Sequence, residues 1–210
     1  MNKREESKRR TRTALLEAAR TVIRDRGLPA ATARDVAAEA GVAVGTVFVH
    51  FPTMGALAET LVDETVEKAL VRAGVIPGAD APPPGGAGAG AVERLVEVSA
   101  ALYDAYGADP ELSRQVLAGS LFQHAPGGPA AERLRAFQEW VVRRLAEGRA
   151  AGEIADLDPE EAFLGFFSLY FGVLVAGLSG RLDRPAQLRT LRSSLTRLLG
   201  AEGDRSRWTS

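Results

Sequence analysis

The chain has 210 residues, 46% hydrophobic and 25% charged, a balance that supports a buried core and excludes a disordered, collagen-like or coiled-coil polymer. It contains no cysteine, which excludes a disulfide framework, thiolate-held zinc or iron–sulfur centres and a cysteine nucleophile. The net charge of −1 hides an asymmetry: residues 1–58 carry ten Lys/Arg against six Asp/Glu and the remainder sixteen against twenty-one, so a basic head precedes an acidic body, a polarity that suits a polyanion-binding module joined to a second part.

Residues 1–12 are basic and polar, with no apolar stretch behind a charged start; they do not read as a secretory signal, and a cytoplasmic protein is expected. They are read as a flexible basic arm. From Thr13 to Arg26, Leu15, Ala18, Ala19, Val22 and Ile23 recur at helical spacing, and Gly27 is placed to end the helix in the left-handed conformation. Thr32 can cap a second, short helix near 33–40, with Asp35 as the acidic partner of a capping box. Gly41 breaks it, a brief helix follows from Val44 to Phe51, and Pro52 stops that one. A longer helix is expected from about Thr53 to Arg72.

The stretch 74–90, GVIPGADAPPPGGAGAG, is dense in helix breakers and reads as a linker. Helical periodicity then returns in Val92–Tyr106, Glu111–Leu121, Ala130–Glu147, Glu160–Leu178 and Pro185–Leu199. No segment alternates with period two, so the expected fold is all-α, with about nine helices and no sheet. Three parts are expected: an arm over 1–12, a small helical domain over 13–58 and a larger helical domain over 59–210.

The segment from Val36 to Phe48 has helix-turn-helix grammar. Ala37 is small enough to be crossed closely, Gly41 can take the positive φ of a tight turn, and Val47 plugs the space between the helices. A helix so held can present its outer face to the DNA major groove. An ordinary αα corner shares this spacing, because Ala and Gly are abundant here.

The longer string from Gly27 to Leu57, GLPAATARDVAAEAGVAVGTVFVHFPTMGAL, resembles the N-terminal domain of the TetR family of repressors. The matching features are the opening of helix two from Thr32 to Ala37, then Ala40-Gly41-Val42, Gly45-Thr46, an aromatic at 48, and His50-Phe51 followed by a loop and Leu57. The resemblance covers residues 10–60; the rest agrees only in being helical. It implies a DNA surface formed by Thr32, Thr46, Phe48 and His50, with Val44 and Val49 at base edges or sugars, and Ala43 and Gly45 in the same helix-start segment. Val36, Val47 and Phe51 are implied to be core. Ala43 stands where Ser is common, Phe48 replaces Tyr, and Met54 occupies a position usually held by a phosphate-binding Lys. Each departure removes a polar contact, and the basic residues of the arm, including Arg10 and Arg12, are expected to compensate. With so apolar a recognition helix, a thymine-bearing half-site is expected.

From Ala162 to Gly180 no residue is charged, a length near that of a membrane span. A helix apolar on all sides also suits a dimer core. The resemblance implies the second, an intersubunit bundle of the last two helices in a homodimer without a membrane partner. Its expected residues are Phe163, Phe167, Tyr170, Phe171 and Leu174, joined by Leu188, Leu191 and Leu195. Tyr103, Tyr106, Phe122, Phe137 and Trp140 are candidate lining for a small-molecule pocket or simply core.

Enzyme readings fare poorly. Residues 86–91 fit a relaxed dinucleotide fingerprint, but they follow three prolines rather than a strand. The two histidines have no metal-ligand spacing, and no nucleophile elbow is found. The expected protein is no enzyme and uses no metal or cofactor. It is a repressor that binds a pseudo-palindromic, double-stranded operator and is released by a small, largely apolar effector. The alternatives are a helical small-molecule-binding protein whose DNA binding is weakened or lost, and a membrane-associated regulator.

Overall fold

The computed structural model describes residues 3–79, 89–120 and 129–200. The described residues form nine α-helices and no strand: α1 Lys3–Arg26, α2 Ala33–Glu39, α3 Val44–His50, α4 Met54–Arg72, α5 Ala91–Gly107, α6 Pro110–Ser120, α7 Pro129–Ala150, α8 Pro159–Leu178 and α9 Arg184–Leu199. A 3-10 turn, Leu28–Ala30, joins α1 to α2. Part of the expected linker, residues 80–88, lies outside the described residues.

The stretch expected as a flexible arm is helical: α1 begins at Lys3 rather than Thr13. Once Leu15, Leu16, Ala19 and Ile23 are anchored in a core, each further residue adds a hydrogen bond without a new nucleation cost. Glu5 and Glu6 sit in the first turn, where the helix dipole favours acidic groups, and Glu6 lies 3.7 Å from Arg10 one turn on.

Two compact units divide the chain. The first comprises residues up to Thr65 together with α6. The expected boundary at residue 58 therefore falls inside α4. In this unit α2 packs on α1 and α3, and Leu15, Ala19, Val36, Ala37, Val47, Phe51, Leu57 and Leu61 are buried. Arg20 bridges to Glu64 at 2.6 Å, tying α1 to α4.

The second unit holds the end of α4 with α5, α7, α8 and α9. Its core joins Leu95, Val98 and Leu102 of α5, Val141 and Leu145 of α7, Phe166 and Leu174 of α8 and Leu191, Leu195 and Leu199 of α9. Its helix ends are satisfied locally. The Glu153 carboxylate accepts from the Ala91 amide at 2.7 Å, while Asp158 and Asp183 cap α8 and α9. Arg192 of α9 forks onto both carboxylate oxygens of Glu93 on α5.

Candidate nucleic-acid interface

The geometry begins with Thr32. Its side chain accepts from the Asp35 amide, its own amide donates to the Asp35 carboxylate, and its hydroxyl donates to that carboxylate at 2.6 Å. Arg26, at the end of α1, reaches the other Asp35 oxygen at 2.7 Å. The Thr32 hydroxyl first and the Arg26 charge after it hold the Asp35 carboxyl below its usual range. Thr32, read from sequence as a DNA contact, is exposed, but its hydroxyl works as the start of α2.

Gly41 ends α2 at φ 66°, a conformation that suits glycine. The Val42 amide returns to the Ala37 carbonyl at 3.0 Å, and the Gly41 amide to that of Ala38. This closed turn sets α3 across α2, with Val36, Ala37 and Val47 buried at the crossing.

What α3 leaves outward is one apolar face. Val44, Phe48 and Val49 are 38%, 50% and 77% exposed, while Val47 and the following Phe51 anchor the other side. Gly45 lies on the outer face, Ala43 precedes it without a side-chain cap, and Thr46 and His50 are half-buried at its edges. Val44, Gly45, Phe48 and Val49 thus share one exposed face of α3, with Thr46 and His50 at its edges.

Two cations border the end of this helix. Arg12 lies over the Phe51 ring, 4.4 Å from its centre, and donates to the His50 carbonyl at 3.4 Å. Burial, then the charges of Arg12 and Lys8, hold the His50 imidazole below its usual value. Arg12, expected to meet DNA, has its guanidinium against the end of α3. Arg10 is solvent-exposed beside Glu6. Lys8, expected among the compensating basic residues of the arm, acts with Arg12 on His50. It stands one turn before Arg12 on the continuous helix α1.

The pocket candidates fare unevenly. Tyr103, Phe137 and Trp140 are buried and Tyr106 half-buried; Phe122 lies outside the described residues. Tyr103 stacks on Tyr170 at 5.4 Å and donates its hydroxyl to the Tyr170 carbonyl at 3.0 Å, and Phe137 tilts against Tyr170 at 6.0 Å. Burial pushes both phenols up. A cleft of about 500 Å³ is found elsewhere, in the first unit, among Leu28, Ala56, Ala58, Glu59, Gln115 and Val116.

The residues expected at a dimer interface separate into two groups. Tyr170, Leu174, Leu191 and Leu195 are buried within the chain's own core, which corrects their assignment. Apolar periodicity marks a helix side to be covered and does not say by which chain. Phe163, Phe167, Phe171 and Leu188 are half-buried, and the outward side of α8 and α9 carries Leu164, Val175 and Leu198, 66%, 37% and 40% exposed. α8 is also long and apolar enough to cross a membrane by length and composition.

Residues 15–61 match the family model described as bacterial regulatory proteins, tetR family. No curated protein matches the chain. Among solved structures, a TetR transcriptional regulator from Rhodococcus sp. RHA1 aligns with a TM-score of 0.60 and 22% identity, covering 91% of this chain and 97% of that one. FadR from Bacillus subtilis, in complex with stearoyl-CoA, aligns at 0.61 and 19% identity over 90% of this chain and 97% of its own. RolR in complex with resorcinol aligns at 0.60 and 18% identity over 94% and 91%. These likenesses extend the fold from the matched segment over both units.

Proposed function

We propose that this chain, a TetR-family protein by its N-terminal signature and its fold, is a sequence-specific, DNA-binding transcriptional repressor acting in the cytoplasm as a homodimer. The observation that carries this reading is the outward face of α3, held by a capped α2 and a glycine turn and flanked by Lys8 and Arg12. A seven-residue helix so supported matches the major groove in width. The DNA-binding part extends over 13–58, preceded by the basic residues 1–12, and the remainder serves ligand binding and dimerisation.

Two-fold pairing through the outward side of α8 and α9, with Leu164, Val175 and Leu198 meeting their counterparts, gives a pseudo-palindromic operator. A small, largely apolar effector releases the DNA by favouring a second state of the dimer. The support is the aromatic interior around Tyr103, Phe137, Trp140 and Tyr170, together with stearoyl-CoA and resorcinol in FadR and RolR. A second reading, a small-molecule-binding protein with weakened DNA binding, draws on Ala43, Phe48 and Met54, which offer phosphates no polar side-chain atom.

Selection of genomic fragments by the purified protein, followed by fluorescence anisotropy on the recovered duplex across a salt series, tests the main reading. The expected outcome is a pseudo-palindrome bound with a slope of about −0.9 per phosphate contact. Binding no tighter than to random duplex overturns it and brings the second reading forward.

A further inference from the structure

Val44, Gly45, Phe48 and Val49 form the outer face of α3, and none of their side chains carries a hydrogen-bond donor or acceptor. Bidentate recognition of guanine or adenine needs such groups. The one sequence-bearing feature of the major groove that an apolar side chain can read is the 5-methyl group of a pyrimidine.

Gly45 strengthens this point. A glycine inside a helix is less favourable than alanine. At Gly45, as at Gly107, Gly119 and Gly172, the φ is not positive and a Cβ would meet nothing within 4 Å among the described residues. Gly45 differs from these in lying among the exposed Val44, Phe48 and Val49. It opens a notch between Val44 and Phe48 on one side and Val49 on the other, through which an external surface can approach the helix backbone.

The rim fixes what that surface is. Arg12 lies over the Phe51 ring, 4.4 Å from its centre, and donates to the His50 carbonyl at 3.4 Å, so the apolar face is bordered by positive charge, complementary to a polyanion with apolar groups on its edge.

We propose that α3 reads its half-site through 5-methyl groups, with Val44, Phe48 and Val49 as specificity-determining residues and Gly45 as the notch that admits the base edge. The inference rests on the DNA-binding reading above. It carries a consequence for modified DNA: a methyl at C5 of cytosine occupies the same groove position as that of thymine, so this face accepts 5-methylcytosine where it rejects cytosine.

The test uses the full chain and the selected duplex, by anisotropy at fixed salt. Replacing half-site thymines one at a time with deoxyuridine removes only the methyl. The expected loss at a contacted position is about fourfold, and about fifteenfold when both half-sites are changed. Where that thymine–adenine pair is replaced by cytosine–guanine, methylating the cytosine at C5 is expected to recover about fourfold. Val49→Ala, at a position exposed enough to leave the fold intact, is expected to narrow the thymine–uracil difference at one base. Affinities within twofold for thymine and uracil at every position, from a protein that still prefers its site to random duplex, overturn this inference and leave the DNA-binding reading standing. Failure to prefer any duplex overturns both.

Discussion

The Arg12 guanidinium lies 4.4 Å from the centre of the Phe51 ring and within 3.4 Å of the His50 carbonyl. One side chain thus joins the middle of α1 to the C-terminal end of α3. It packs over an aromatic face and meets the negative end of a helix dipole.

Arg12→Ala is expected to lower stability by about 1 kcal/mol, from the lost cation–π contact and hydrogen bond together. Urea unfolding measures this. Arg12→Lys keeps the charge but not the planar stacking, so it is expected to recover only part of the loss.

His50 gives a pH signature. Its folded-state value lies below the ordinary 6.5, mainly through burial and further through Arg12 and Lys8. The unfolded chain therefore takes up a proton first as pH falls below 6.5, and stability declines from there down to the folded value. The difference between wild type and His50→Gln, followed by urea unfolding between pH 7.5 and 5, is expected to contain this decline; parallel curves would remove it.

Thr32→Ala should cost about 1 kcal/mol by deleting the cap of α2. The Asp35 carboxyl is held below 3.8 chiefly by the Thr32 hydroxyl. Its contribution is therefore complete above that value and lost as pH falls through the folded one. Acid unfolding of the variant, monitored by helical circular dichroism, is expected to depend less on pH in that window.

Gly177 faces Gln187, whose side chain is buried and donates to the Val173 carbonyl at 3.2 Å. A Cβ at 177 would come within 1.9 Å of the Gln187 amide nitrogen. Gly177→Ala must displace that amide, at a cost of about 1–3 kcal/mol. Adding Gln187→Ala is expected to relieve most of the overlap, so the two changes should be non-additive in a double-mutant cycle.

Leu164 is 66% exposed on α8, so Leu164→Arg leaves the chain's own core untouched. Sedimentation is expected to give a monomer with unchanged helix content and weakened operator binding. A dimer that persists would move the interface away from this side of α8.

Much of the α2–turn–α3 segment was legible because its determinants are local. Thr32 and Asp35 are three residues apart, Gly41 fixes the turn, and Val36 and Val47 face each other across it. The extra turns of α1 were not, since residues 3–12 have no apolar stripe and owe their helicity to the anchored segment behind them. Arg12 against Phe51 and α6 within the first unit are long-range pairings that no spacing rule encodes. The aromatic residues of α5, α7 and α8 were found by type, but which of them cover the chain's own interior emerged only from packing.

α1 is 24 residues long, about 36 Å at 1.5 Å per residue. Its cations between Lys3 and Arg12 are spaced along a rod. Fixing one backbone residue costs about 1–2 kcal/mol of conformational entropy, and a loose basic tail meets that cost on contact. Here it has been met in the free protein, so an anion reaching these charges finds them prearranged, and its binding entropy should carry little penalty from this segment.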